Sequence, residues 1–274
     1  AFYFMLRAPA AVSAANEAMA CVPKDISKIS SGLTGVWHSY KIGDSSSFKD
    51  PKFLSYGYKN NEVLYTKGGI TDLTINTGYQ CKDITGEIVY CYSGWGKAGN
   101  RWTCNDANGV KHACTNAGIN ANPPAEQSGP AIYGADTVFT NVVVELTGYY
   151  LAQESGSHTI SMSNIDDSAI LFFGSNLAFD CCQQSTIPTT STDFSINGIK
   201  DWGGAVGKTE YVTTLEKGLY YAVRLVYINA EQVGKLNFKI VTPSGVTQTN
   251  FDSLFFTVGD SDEVCPANIV TTTV

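Results

Sequence analysis

Two aspartates stand side by side in the stretch SNIDDSAILFFG, Asp166 and Asp167, at the mouth of an apolar run. Such a pair suits several kinds of chemistry. It can mark a turn, with each carboxylate accepting from nearby backbone N–H groups. It can belong to an acid/base couple, but sugar cleavage needs two carboxylates about 5–10 Å apart across one bond. Successive strand residues face opposite ways, so a partner such as Glu145, Glu154 or Glu210 would be needed, and no spacing selects one. It can hold a hard cation, since Ca²⁺ takes six to eight oxygens at about 2.3–2.6 Å from carboxylates, amides and carbonyls. Neighbouring side chains in a strand diverge, and a cis peptide between the two would turn both toward one point. Asn229 closes the apolar run YYAVRLVYIN and opens a short polar loop. It is a turn former by type and also a neutral oxygen donor.

Cysteine offers a second chemistry. The eight are Cys21, Cys81, Cys91, Cys104, Cys114, Cys181, Cys182 and Cys265, spread along the chain with no CxxC pair. No Cys/His cluster in the sequence suggests zinc. Disulfides in an oxidising compartment are expected instead. Cys91 with Cys104 and Cys81 with Cys114 would nest, although spacing alone leaves the pairing open. Cys181 and Cys182 are expected to reach different distant strands, with Cys21 and Cys265 as the remaining partners. The three histidines, His38, His112 and His158, read as isolated surface or core residues.

The elements that must position these groups read as strands nearly throughout. TVFTNVVVELTGYYLA (137–152) alternates, followed by HTISMSN (158–164), SAILFFG (168–174), TEYVTTLEKGLYYAVRLVYIN (209–229), KLNFKIVTPSG (235–245) and DSLFFTVG (252–259). Gly, Asn and Ser punctuate them at short intervals, which means an all-β sandwich. Residues 81–130 are Gly-, Asn- and Ala-rich, hold four of the cysteines, and read as a disulfide-stapled loop insertion. Residues 1–274 are expected to form a single domain, with 266–274 beginning a Thr-rich stalk. Residues 1–20 lack a basic start and a clean apolar stretch, and read as mature sequence rather than an intact signal peptide.

Composition narrows the partners. The chain has 274 residues, 43% hydrophobic and 16% charged, enough apolar residues for a real core and too few charges for disorder. A net charge of −7 without a Lys/Arg cluster disfavours nucleic acid and anionic membrane and favours a cation. No stretch reaches the length of a membrane span.

The layout VELTGYYLAQESGSHTISMSNIDDSAILFFG resembles the PA14 β-sandwich. FDCCQQ (179–184), KDWGGAVG (200–207) and YINAEQVG (227–234), in that order, resemble the ligand-binding domains of fungal cell-wall adhesins of the flocculin and epithelial-adhesin type. The resemblance covers essentially the whole chain and is strongest over 130–260. It implies a PA14-type fold and no enzymatic activity. It also implies a Ca²⁺ site in which Asp166 and Asp167, joined by a cis peptide, and Asn229 are side-chain ligands. The backbone carbonyls of Glu231 and Val233 would complete the protein's share. Trp202 would form the wall of a sugar pocket, in a loop whose Gly203, Gly204 and Gly207 allow close approach, and Gln232 with Glu231 would tune which sugar fits.

The expectation is therefore a calcium-dependent lectin head that binds the non-reducing terminal hexose of a cell-surface glycan. Mannose, glucose or N-acetylglucosamine ends (chitin included) are favoured over galactose, because the tip AEQVG lacks an Arg or Tyr. Single-site affinity would be modest, and strength would come from many monomeric heads on a cell wall, on a protein anchored through glycosylphosphatidylinositol. The rival expectations are a carbohydrate-binding module of a glycoside hydrolase and a homophilic adhesion domain.

Overall fold

A computed structural model describes residues 18–22, 29–41, 47–115, 131–181, 183, 193–200, 207–230 and 233–258. Of the expected functional residues, Trp202, Glu231, Gln232, Cys182 and Cys265 lie outside these, as does the 266–274 segment.

Among the described residues strand predominates, and the two largest sheets pack as a sandwich. The larger sheet has nine strands and is centred on the antiparallel pair Val142–Leu151 and Tyr220–Asn229. Ser168–Phe173 adds to Tyr220–Asn229, and Ile196–Ile199 adds to Ser168–Phe173. On the other flank Leu33–Ser39 pairs with Val142–Leu151, and Val63–Ile70 pairs with Leu33–Ser39. The smaller sheet runs Glu210–Leu215, Gly156–Asp166, Gly234–Val241, Thr247–Gln248, with Ile75–Thr77 also on Gly234–Val241. Among the described residues, α-helix is limited to Pro51–Ser55, capped by the Asp50 side chain accepting from Lys52 N–H.

Between the sheets lies an apolar core. Val144, Leu146, Tyr150, Leu225 and Tyr227 of the larger sheet meet Ile160, Met162, Leu236, Phe238 and Ile240 of the smaller. The other face of the larger sheet is covered too. Val143, Tyr149, Ile170, Phe172, Val226 and Ile228 pack under Phe48, Leu54 and Tyr58 of the short helical segment. The expected alternation along 137–152 is therefore not an alternation of exposure. Val142–Leu151 is buried at every position but the last, because both faces are roofed.

That roof carries a cation. Arg224 is fully buried, lies 3.7 Å above the Phe172 ring, and donates to the carbonyls of Ser55 at 2.7 Å and Ala178 at 3.2 Å. Close by, Glu145 accepts from Tyr58 Oη and from Lys59 Nζ. Burial of these charges is offset by pairing and hydrogen bonding.

The insertion is stapled by disulfides as expected and has strands of its own. Its described part is made of hairpins: Tyr79–Lys82 with Ile88–Cys91, and Ser93–Ala98, Arg101–Asn105 and Lys111–Cys114 in a three-stranded sheet. Disulfides join Cys81 to Cys114, Cys91 to Cys104 and Cys21 to Cys181. His112, expected to be isolated, instead sits between two carboxylates, with Nε2 3.1 Å from Asp106 and Nδ1 3.4 Å from Asp83. Strand pairing across the sheet, which the sequence does not show, brings them together. Both carboxyls are held below the usual range, Asp83 chiefly by the Thr85 hydroxyl and Asp106 chiefly by the Val110 N–H.

Candidate functional site

The aspartate pair sits where the chain passes from one sheet to the other. Asp166 is the last residue of Gly156–Asp166 and pairs with Lys235 in the smaller sheet. Ser168, two residues on, already pairs with Ile228 and Ile199 in the larger sheet. The crossing is prepared by an irregularity after Ser163, where Asn164 takes a left-handed backbone (φ 53°). Asn is among the few residues that adopt this conformation at low cost.

The peptide bond between Asp166 and Asp167 is cis. The two carboxyls are close enough to interact with each other. Asp167 is buried, and its Oδ2 accepts the backbone N–H of Ala230 at 2.8 Å. Asp166 is more open, and its Oδ1 accepts Lys200 Nζ at 2.8 Å. The backbone is pinned equally firmly. Asp167 N–H donates to Ile228 O at 3.0 Å, Lys200 N–H donates to Asp167 O at 3.3 Å, and Tyr227 Oη donates to Asp166 O.

Burial pushes the Asp167 carboxyl up to about 6, and the adjacent Asp166 charge adds to the rise against the Ala230 N–H. Two adjacent carboxylates, one of them poorly solvated, outnumber the single Lys200 charge beside them, a condition a cation relieves. Lys200 supplies one positive charge, on Asp166.

Asn229 is fully buried beside this pair, at the end of the strand that neighbours Ser168–Phe173. Its Nδ2 donates to Phe139 O at 2.7 Å, which fixes the orientation of the amide. Gly234 closes the other side. A Cβ there would lie 2.5 Å from Tyr227 Oη, 3.0 Å from Asn229 Nδ2 and 3.2 Å from Thr77 Oγ1. Val233, before it, is buried.

Among the described residues, then, Asp166, Asp167, Asn229 and Val233 gather at one end of the sandwich. Lys200 and Gly234 join them without having been singled out from sequence. KDWGG and AEQVG contain them, but nothing in those stretches ranks Lys200 above a solvated charge or Gly234 above a turn glycine. Two of the three carboxylates considered as catalytic partners are engaged elsewhere. Glu145 holds Tyr58 and Lys59, and Glu154 accepts from Ser244 N–H and Oγ.

The donor set fits a hard cation. It offers two neighbouring carboxylates and a side-chain amide held in one orientation. Nothing in it resembles a nucleophile with its base.

The GLEYA domain family matches residues 142–242. The chain is 32% identical to flocculation protein FLO1 of Saccharomyces cerevisiae over 266 residues, covering 95% of this chain and 16% of that protein. With flocculation protein FLO10 of the same yeast it shares 33% over 276 residues, 94% of this chain and 23% of that protein. The chain thus spans less than a quarter of either relative. The epithelial adhesin 6 A domain from Candida glabrata, solved in complex with Galβ1-3GlcNAc, superposes with a TM-score of 0.64 at 21% identity. That match covers 94% of this chain and 100% of that one. The epithelial adhesin 9 A domain, solved with Galβ1-4GlcNAc, gives 0.63 at 18% identity, covering 90% and 97%. At these identities the structural likeness shows the fold. No helix among the described residues is long and apolar enough to cross a membrane.

Proposed function

We propose, from its homology with the yeast flocculation proteins and the fold it shares with the epithelial-adhesin A domains, that the chain is the calcium-dependent, sugar-binding head of a cell-wall adhesin. Its relatives are flocculation proteins and adhesin domains rather than enzymes, and its task is binding.

The adjacent carboxyls of Asp166 and Asp167, held at the sheet crossing by Lys200 Nζ and the Ala230 N–H, carry this reading. Asp166, Asp167 and Asn229 would hold Ca²⁺, with carbonyls of the 230–233 turn. Bound there, the ion supplies a positive centre on which two adjacent hydroxyls of a sugar can chelate in place of water. The protein's own residues do the rest. Ala230 N–H and Lys200 Nζ fix the two carboxylates, Phe139 O fixes the Asn229 amide, and Tyr227 holds the crossing peptide. A site assembled before the ligand arrives loses little entropy on binding, yet a few hydroxyl contacts give only modest affinity. Many heads on one wall would supply strength by multivalency.

We assign the ligand as the terminal hexose of a surface glycan, with mannose, glucose or N-acetylglucosamine preferred to galactose. Trp202, Glu231 and Gln232 are proposed to line the sugar. The test is monosaccharide titration by calorimetry with calcium and with EDTA, alongside a glycan array. Binding that needs calcium and is lost in Asp167→Ala is expected. Binding that survives chelation sinks the proposal.

A further inference from the structure

The sequence shows no metal-binding cysteine pattern, but the fold makes a tetrad. Cys81 lies in strand Tyr79–Lys82, and Cys91 ends its hairpin partner Ile88–Cys91. Cys104 and Cys114 lie in the facing strands Arg101–Asn105 and Lys111–Cys114. The four sulfurs lie within 4.8 Å of one another, and none of the four residues is more than 4% exposed. The disulfides run between the hairpins, yet Cys104 Sγ and Cys114 Sγ, which belong to different disulfides, are 3.5 Å apart. Val89 and Trp102 pack against the cluster, which is otherwise made of the cysteines themselves.

We propose that the insertion, when its two disulfides are reduced, binds a single Zn²⁺ through Cys81, Cys91, Cys104 and Cys114. Zinc held by four thiolates is tetrahedral with Zn–S of about 2.3 Å, which sets the sulfurs about 3.8 Å apart. Sulfurs already confined within 4.8 Å reach that arrangement by shifts of about 1 Å each. Two hairpins, each giving two ligands, enclose the ion from both sides, and burial keeps water off it. The thiolates' surplus negative charge falls in a segment, 79–115, with four Lys/Arg against three Asp/Glu.

The redox step balances. A phosphine cleaves each disulfide to two thiols and is oxidised to its oxide with an oxygen atom from water. The four thiols then release four protons as they bind the ion. The site also has a physical use. Besides the cysteines, the apolar cluster between the hairpins is made of Val89 and Trp102 among the described residues, so opening the disulfides weakens what joins them. A metal would hold the same four sulfurs together before oxidation, or after reduction.

The proposal is independent of the sugar site. The test is a cobalt titration of the full chain, reduced with a phosphine under anaerobic conditions and followed by absorption. Tetrahedral d–d and thiolate-to-cobalt charge-transfer bands should saturate at a single equivalent and vanish on adding Zn²⁺. The bands should be absent from the C91S/C104S variant. Hydrogen exchange of the reduced chain should show protection over 79–115 restored by Zn²⁺. The proposal is overturned by a reduced chain that gives no such bands, by bands that persist in C91S/C104S, or by exchange over 79–115 that Zn²⁺ leaves unchanged.

Discussion

The backbone N–H of Ala230 donates to Asp167 Oδ2 at 2.8 Å and ties the buried carboxylate to the residue that follows Asn229. This bond joins two segments 63 residues apart. It couples the acidic pair to the end of strand Tyr220–Asn229, so a change in either is felt in the other.

The buried position of the Asp167 carboxyl carries a cost to the fold. Burial holds its carboxyl at about 6, above the ordinary 3.8, so ionisation opposes folding. In EDTA at pH 7, Asp167→Asn is expected to be more stable than the parent by on the order of 2 kcal/mol. The amide oxygen can still accept from Ala230. For a raised carboxyl the penalty is full above the folded value and vanishes below the unfolded one. The advantage should therefore shrink as pH falls from above 6 toward 3.8, read by urea unfolding of both proteins. The same variant should bind no sugar.

Gly234→Ala should damage the site from its far side. The added methyl meets Tyr227 Oη at 2.5 Å, and that hydroxyl holds Asp166 O. We expect a loss of about 1–3 kcal/mol in stability together with weaker sugar binding. Gly68→Ala, with nothing within 4 Å of its Cβ, is the matched control and should be near neutral. Equal losses in both variants would refute the argument from close approach.

Arg224→Met should separate stability from function. It removes donors from the Ser55 and Ala178 carbonyls and the stack on Phe172, all on the face of the larger sheet that packs under the helical segment. A loss of about 2–4 kcal/mol is expected, because two buried carbonyls lose their donor. Sugar affinity at a temperature where the variant stays folded should match the parent.

His158 should carry part of the acid sensitivity. It is fully buried, with Nδ1 3.0 Å from Gly156 O, and burial lowers its affinity for a proton. A base lowered in the folded state contributes stability above its unfolded value of 6.5 and loses it as pH falls below that. The parent should therefore lose more stability than His158→Gln between pH 7 and pH 5, measured by denaturant midpoints.

Much of this protein is legible in its sequence. Period-two strands broken by Gly and Asn specify a β-sandwich, because a pleated ribbon must bury one face against another sheet. The even cysteine count specifies cross-links. Asp166–Asp167 stands out as a local anomaly, two like charges opening an apolar strand, and a local anomaly can be seen without any contact map.

What the sequence leaves open is every relation between distant segments. That Glu145 faces Tyr58, that His112 lies between Asp83 and Asp106, and that Lys200 reaches Asp166 follow from strand register, where one residue of slip reverses every side chain. Two buried faces erase the alternation along Val142–Leu151. Gly234 is a turn glycine by sequence and a steric necessity in the fold, since only packing brings Tyr227 Oη to its Cα. The chain by itself set the residue types and their local periods. Only the tertiary structure decided which of them share a site, because side-chain chemistry acts over a few ångströms of space and those neighbours lie far apart along the chain.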